Sequence, residues 1–288
     1  MQQRTKWTRK FYGVLAGLGC LAILSSSAYA QDISELIQVT KGDRSIRGTG
    51  FLPADPEKYR ALDEAPRTRG PLPPRKDLSD RFPTPSDQGQ QSSCSAWAVG
   101  YAARSYYIGK DTGGDPRRGE NIASPAHIYS SLNRSGRCNQ EVATIDVLEL
   151  LKNVGTVPLS VTGYWPDRCD LQIPASVLAL HSQRFRIQGY DTVAKADETH
   201  IKSQINRNNP VIFGMYLTDE FNSWERTVFT STQRDGRAHS MVITGYDDAR
   251  QAYKFINSWG NEWGERGYGW LSYQAAKALW IEGYVIRL

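Results

Sequence analysis

The stretch Ser86-Asp-Gln-Gly-Gln-Gln-Ser-Ser-Cys94-Ser-Ala-Trp-Ala98 decides how the rest of the chain is read. A polar loop containing Gly89 runs directly into an Ala-rich, aromatic segment, Ala96 to Tyr107, whose composition predicts a buried helix. Ser92 and Ser93 are candidate N-caps for it. Cys94 then falls in the first helical turn, where free backbone N–H groups and the helix dipole favour negative charge. A thiol in that place is expected to have a lowered pKa and to be partly thiolate near neutral pH. The plain alternative for a lone cysteine is a small buried hydrophobe. Its position at a loop-to-helix junction, flanked by serines, argues against that.

Working outward, the chain of 288 residues begins like an exported protein. Arg4, Lys6, Arg9 and Lys10 form a basic start, Val14 to Leu24 a short apolar run, and Ala28-Tyr29-Ala30 a small-residue cleavage site. Residues 1–30 therefore read as a signal peptide, and the apolar run is short for a permanent membrane anchor. Without these residues the balance is 31 basic against 30 acidic, a net charge of +1, so the +5 of the whole chain carries no argument for nucleic acid. No Lys/Arg run with interleaved aromatics is present. The expected location is secreted or periplasmic, with no membrane contact after signal removal.

Export makes cysteine usage informative. Cys20 leaves with the signal, and Cys94, Cys138 and Cys169 remain. One disulfide and one free thiol is the simplest arrangement for three. Cys138 and Cys169 sit in similar polar loops, Ser135-Gly-Arg-Cys-Asn and Pro166-Asp-Arg-Cys-Asp, and are expected to pair, leaving Cys94 free.

Residues 31–71 form a polar, proline-punctuated extension that ends in the Pro-rich link Arg69-Gly-Pro-Leu-Pro-Pro74. Only Asp32-Ile-Ser-Glu-Leu-Ile-Gln-Val suggests a short helix or strand. Such a segment can lie along a cleft and block it, or be a flexible tail. Leu78 to Ser93 reads as extended chain and loop. Beyond Cys94, Ser124-Pro125 opens a second helix. Ala143 to Asn153 carries an apolar stripe that Gly155 stops. His127, on the second helix, reads as a packing or surface residue. Thr199 to Asn208 is a short amphipathic helix; Val211 to Leu217, His239 to Tyr246 and Ala252 to Asn257 read as strands, followed by a Gly-rich turn and strand to Trp270. Helices first and strands later predict an α+β protein of two lobes, one helical and one a sheet or barrel.

The predicted hairpin around Asp247-Asp-Ala-Arg250 places His239 within one residue of register with Asn257. Opposed side chains of an antiparallel pair lie about 5 Å apart at Cβ. An Asn amide oxygen there can accept the imidazole N–H, fixing its tautomer and direction. The other ring nitrogen is then free for a thiol, and Cys, His and Asn follow the nucleophile, base and orienter logic of covalent catalysis.

Three blocks resemble the papain-like cysteine peptidases: Asp87-Gln-Gly-Gln-Gln-Ser-Ser-Cys94, His239-Ser-Met-Val-Ile-Thr-Gly-Tyr-Asp247, and Asn257-Ser-Trp-Gly-Asn-Glu-Trp-Gly-Glu-Arg-Gly-Tyr-Gly269. The 145-residue spacing from Cys94 to His239 also agrees. The resemblance covers residues 72–288 and implies a two-lobed fold with Cys94 on the helical lobe and His239 on the sheet lobe, facing across a cleft. It implies that Cys94 is the nucleophile, His239 the base, Asn257 the orienter, and Gln88 a side-chain donor to the oxyanion beside the Cys94 backbone N–H. Trp259 resembles the indole that shields the His–Asn bond. The sequence departs from the family at Gln91, where a cysteine is usual, at Ser95, where a tryptophan is usual, and at Ser92, where a glycine stands. No Gly pair occurs near Cys138-Asn-Gln-Glu-Val142. The family's long helical pro-region motif is missing from residues 31–71. The chain thus resembles a divergent, bacterial-type member.

The expected function is a secreted thiol endopeptidase acting on protein or peptide, monomeric and needing neither cofactor nor metal. Two alternatives are a non-catalytic peptide-binding module on the same fold, and a cysteine amidase or acyl-transfer enzyme acting on cell-wall peptides.

Overall fold

The computed structural model describes residues 32–39, 47–224 and 227–288. The expected signal peptide, residues 1–30, lies outside the described residues. Among these residues no helix is long and apolar enough to cross a membrane.

The helical lobe is built round one continuous helical run. Cys94–Ala96 is α-helical, Trp97–Arg104 is wound as a π-helix, and Ser105–Thr112 returns to α-helix before Gly113 ends it in the left-handed conformation. The run of Ala, Val and Gly side chains lets other elements approach closely, and every residue from Cys94 to Tyr107 is buried. The second helix, Pro125–Leu132, is capped as expected, with Ser124 accepting from the His127 N–H. Thr144–Asn153 buries its Ile145, Val147, Leu148 and Leu151 stripe. His127 is buried and held by Thr156 and Ser131, a packing role. A further helix, Ala175–Phe185, had no strong sequence signal because its only fully buried residue is its last.

The sheet lobe contains β4 (Gly189–Thr192), β5 (Val211–Tyr216), β6 (Val228–Phe229), β7 (Ala238–Asp247), β8 (Ala252–Ile256), β9 (Tyr268–Ser272) and β10 (Trp280–Arg287); β1 (Phe51–Leu52), β2 (Arg75–Asp77) and β3 (Val142–Ala143) precede them in the chain. The strand order is β4-β10-β5-β7-β8-β9-β6, and β2 pairs with β7 beyond the end of β5. β5 and β7 sit centrally, and their nearly unbroken apolar runs match burial on both faces. The mixed fold and its two lobes are those expected. β10 and the helix Tyr273–Leu279 before it were not anticipated; β10 pairs with both β4 and β5.

The extension is more structured than its composition suggested. Ile33–Leu36 forms one helical turn and Pro56–Arg60 another, capped by Asp32 and Asp55. β1 pairs in parallel with β3. The extension has no core of its own: Ala54 and Ala65 join the main core, and Ile33 and Leu36 pack with Trp97 and Tyr101.

Candidate active site

Cys94 opens the central helix and is fully buried; it is the free cysteine among the described residues, and Cys138–Cys169 forms the expected disulfide with Cα atoms 5.3 Å apart. The capping expectation holds in position but not in its hydrogen bond. Ser93 stands at the N-cap position, but its side chain makes no cap bond and its hydroxyl meets the Tyr164 hydroxyl at 3.2 Å, while the Ser92 N–H donates to the Cys138 carbonyl. Where the family usually has a cysteine, the Gln91 amide reaches the Pro166 and Arg168 carbonyls and the Cys169 sulfur. It ties the disulfide loop to the Cys94 loop without a covalent bond.

His239 and Asn257 meet, although not as a directly opposed pair. The loop between β7 and β8 closes at Asp247–Ala252, and a bulge lies between Ile243 and Gly245. Val242 therefore pairs with Ile256, and Asn257 falls beyond the end of β8, bonded through its N–H to the Gly267 carbonyl. The contact with His239 is diagonal, and the two side chains still bond at 2.8 Å, His239 Nε2 to Asn257 Oδ1. Asn257 Oδ1 also accepts from the Ser258 N–H, which fixes it as the acceptor. His239 Nε2 then carries the proton and donates it, leaving Nδ1 as an acceptor. Nδ1 is buried and has no hydrogen-bond partner among the described residues. Trp259 stacks on the imidazole, with ring centres 4.7 Å apart, and covers the His239–Asn257 bond.

Helix and sheet join at this point. The backbone N–H of Ser240, next to His239, interacts with the Cys94 thiol. Gln88 donates its backbone N–H to the Ser258 carbonyl, and its side-chain oxygen accepts from the Ser258 hydroxyl at 2.5 Å. These bonds fix the amide plane, and Gln88 Nε2 points back toward the Cys94 loop.

A stretch that carried no sequence signal of its own, Arg47-Gly-Thr-Gly-Phe51, occupies the cleft. The Thr49 carbonyl oxygen accepts from the Cys94 backbone N–H and from Gln88 Nε2, each at 3.3 Å. The Gly48 carbonyl accepts from Trp259 Nε1 at 2.8 Å, and the Gly50 carbonyl accepts from the Val142 N–H at 3.0 Å. Arg47 Nη1 donates to the Trp259 carbonyl. Both glycines are required by space. A Cβ on Gly48 would fall 2.6 Å from the Gln91 and Gly89 carbonyl oxygens; Gly50 has φ +95°, and its Cβ would fall 2.4 Å from the Ser92 carbonyl oxygen. The Gly-Thr-Gly triplet in a proline-punctuated segment was the available clue.

This cover reverses the expected charge state. Burial pushes the Cys94 thiol up to about 12, despite its place at a helix start. The helix end cannot compensate, because the Cys94 N–H is already committed to Thr49. Burial also lowers His239 to about 4, opposed by the Asn257 bond. In this form the pair is neutral thiol and neutral imidazole.

The fold is papain-like. Residues 153–286, which contain His239 and Asn257, match the sequence profile described as papain family cysteine protease. Among solved structures the chain resembles xylellain, a cysteine protease from Xylella fastidiosa (TM-score 0.70, 23% identity, covering 87% of this chain and 99% of that one). It also resembles digestive procathepsin L 3 of Tenebrio molitor (TM-score 0.64, 18% identity, 85% and 77% covered). In sequence it is 26% identical to the cysteine endopeptidase RepA of Oryza sativa subsp. japonica over 203 residues, 68% of this chain and 51% of that protein. It is 38% identical over 63 residues to the gamete and mating-type specific protein A of Dictyostelium discoideum, covering 22% of this chain and 14% of that protein. The chain thus spans about half or less of the length of these two sequence relatives. Its fold is that of the papain-like cysteine peptidases, and its C-terminal part carries their sequence pattern.

Proposed function

We propose that the chain is an exported thiol endopeptidase made as a self-blocked precursor, with Cys94, His239, Asn257 and Gln88 as its working groups. The observation that carries this is the Thr49 carbonyl. A peptide oxygen of the chain itself rests on two donors beside a cysteine, the arrangement needed for a carbonyl under attack.

The chemistry follows from the geometry once the cleft segment leaves. His239 Nδ1 takes the Cys94 proton, and sulfur adds to the substrate carbonyl carbon. The negative oxygen is held by the Cys94 N–H and Gln88 Nε2, donors of a kind worth roughly 3 kcal/mol each in the transition state. The imidazolium returns its proton to the leaving amine, and a thioester remains. Water, deprotonated by the same imidazole, hydrolyses it. Asn257 holds the ring in the tautomer that both steps need, and Trp259 keeps water from that bond.

While Arg47–Phe51 is in place, the raised thiol leaves almost no thiolate at neutral pH, which would protect the Thr49–Gly50 bond beside it from attack. The export expected from residues 1–30 fits the same reading, since an active thiol peptidase would endanger the cell that makes it. Residues 1–30 would direct that export, and residues 31–71 would act as the pro-segment of the peptidase domain 72–288.

Cys94→Ala tests the assignment: hydrolysis of peptides and labelling by thiol-directed electrophiles should both vanish while the fold remains. Asn257→Ala should lose less activity than His239→Ala, because the base survives without its orienter. Undiminished hydrolysis in Cys94→Ala would end the proposal. Turnover of cell-wall peptides but not of protein substrates would favour the amidase reading instead.

A further inference from the structure

The Gln88 side-chain amide has two hydrogens on Nε2. One goes to the Gln91 carbonyl at 2.7 Å; the other is the one that reaches the Thr49 carbonyl. How well that second hydrogen is aimed depends on where the loop Gln88–Ser93 puts the Gln88 backbone and the Gln91 carbonyl. The loop is irregular, with Gly89 at φ +60°, and no helix or sheet ladder fixes it.

Tyr164 stands behind this loop. It is fully buried, and its hydroxyl meets three loop groups: the Gln88 carbonyl at 2.9 Å, Gln91 Oε1 at 3.1 Å and Ser93 Oγ at 3.2 Å. Among the described residues no other donor serves the Gln88 carbonyl. The ring is set edge-on against Trp97 of the helical lobe, 4.8 Å between centres. Two backbone bonds of Tyr164, to Leu36 and Gln38, belong to the extension; the hydroxyl contacts do not. Gln91 ties the loop from its other side. It is 1% exposed, and its Nε2 reaches the Pro166 and Arg168 carbonyls and the Cys169 sulfur, while the next residue, Ser92, bonds the Cys138 carbonyl. Both ends of the Cys138–Cys169 bridge therefore bear on the loop that carries Gln88.

We propose that Tyr164 and Gln91 are positioning residues of the oxyanion hole, through which the disulfide-closed loop holds Gln88 Nε2 on aim. Neither acts on the substrate itself. Tyr164 fixes the Gln88 backbone through its carbonyl, and the Gln91 side chain anchors the carbonyl that turns Gln88 Nε2. Without the Tyr164 hydroxyl the Gln88 carbonyl is buried and unpaired, so the loop must shift to satisfy it. A displacement of about 1 Å is enough to cost a catalytic group much of its effect. The proposal rests on the peptidase reading and adds the residues that aim its oxyanion donor.

The test uses full-length protein opened by Gly50→Ala and three readouts: peptide hydrolysis, reversible binding of a peptide nitrile, and alkylation of Cys94 by a small electrophile. In the nitrile complex the Cys94 sulfur bonds to the nitrile carbon and one carbon–nitrogen π bond opens. The Cys94 proton passes through His239 to the nitrogen, which then lies where the oxyanion would. Alkylation needs the thiol and His239 but no oxyanion donor. Tyr164→Phe should lower kcat at least tenfold with KM little changed, weaken nitrile binding at least tenfold, and leave alkylation within about twofold. Gln91→Met should act in the same direction, more weakly. In a Gln88→Ala background Tyr164→Phe should cost nothing further. Parallel loss of hydrolysis and alkylation in Tyr164→Phe would mark a merely structural role and overturn the assignment. Full additivity with Gln88→Ala would overturn it too. Nitrile binding that depends on Tyr164, with no turnover of any peptide, would uphold the positioning and sink the peptidase reading alone. Normal turnover and nitrile binding in both Tyr164→Phe and Gln91→Met would sink the positioning alone.

Discussion

Two halves of one extension hold to the protein by different physics. Residues 47–54 are held in the cleft mainly by backbone. Three successive carbonyls, of Gly48, Thr49 and Gly50, meet donors of the site, two glycines give the clearance, and Phe51 is the one large side chain buried there. Residues 55–68 are held on the back of the sheet lobe by a mixture. The Tyr59 hydroxyl exchanges hydrogen bonds with Gly283, Asp63 and Ala65 bond the backbone of Thr192, and Arg67 bridges Glu64 and Asp197 at the surface. The first half copies how a peptide would bind and is sensitive to single atoms. The second is an anchor spread over many contacts, which no single change removes.

That contrast can be broken or sharpened by point changes in the intact chain, read as the rate at which a small electrophile reaches Cys94. Phe51→Ala should act most strongly. Emptying a buried aromatic site costs about 3–5 kcal/mol in packed cores, so labelling should accelerate roughly a hundredfold or more, at about tenfold per 1.4 kcal/mol. Gly50→Ala comes next: a left-handed backbone and a Cβ driven into the Ser92 carbonyl should cost about 1–3 kcal/mol, with about tenfold faster labelling. Arg67→Ala should change labelling least, since exposed ion pairs contribute about 0–1 kcal/mol. If Arg67→Ala opened the site as fully as Phe51→Ala, the anchor and the plug would not be separable.

Much of this was legible in the sequence, and the unread parts share a cause. Cys94, His239, Asn257 and Gln88 stand out because their chemistry and order are uncommon, and the Cys138–Cys169 pairing follows from two similar loops. The helices at Ser124 and Ala143 carry caps and stripes, which are local signals. What the sequence hid depends on contacts between distant segments. The diagonal His239–Asn257 contact arises from a bulge that register counting cannot see. The thiol was read as acidic from its helix position, while the buried structure raises it, because the covering segment lies some 45 residues earlier in the chain. Thr49 has no chemical peculiarity at all. Its role comes only from where Gly48 and Gly50 allow the chain to pass.

The most direct test follows alkylation of Cys94 against pH, comparing the intact chain with its Gly50→Ala form and mapping the label by mass. Burial raises the thiol pKa, so the thiolate of the covered site appears only as pH climbs toward about 12. The account predicts that the intact chain reacts slowly at neutral pH, with a rate still rising at the alkaline end. The Gly50→Ala form should react at least tenfold faster at neutral pH and level off at lower pH. Identical profiles for the two proteins, with the intact chain already fast at neutral pH, would contradict the claim that Arg47–Phe51 holds the site shut.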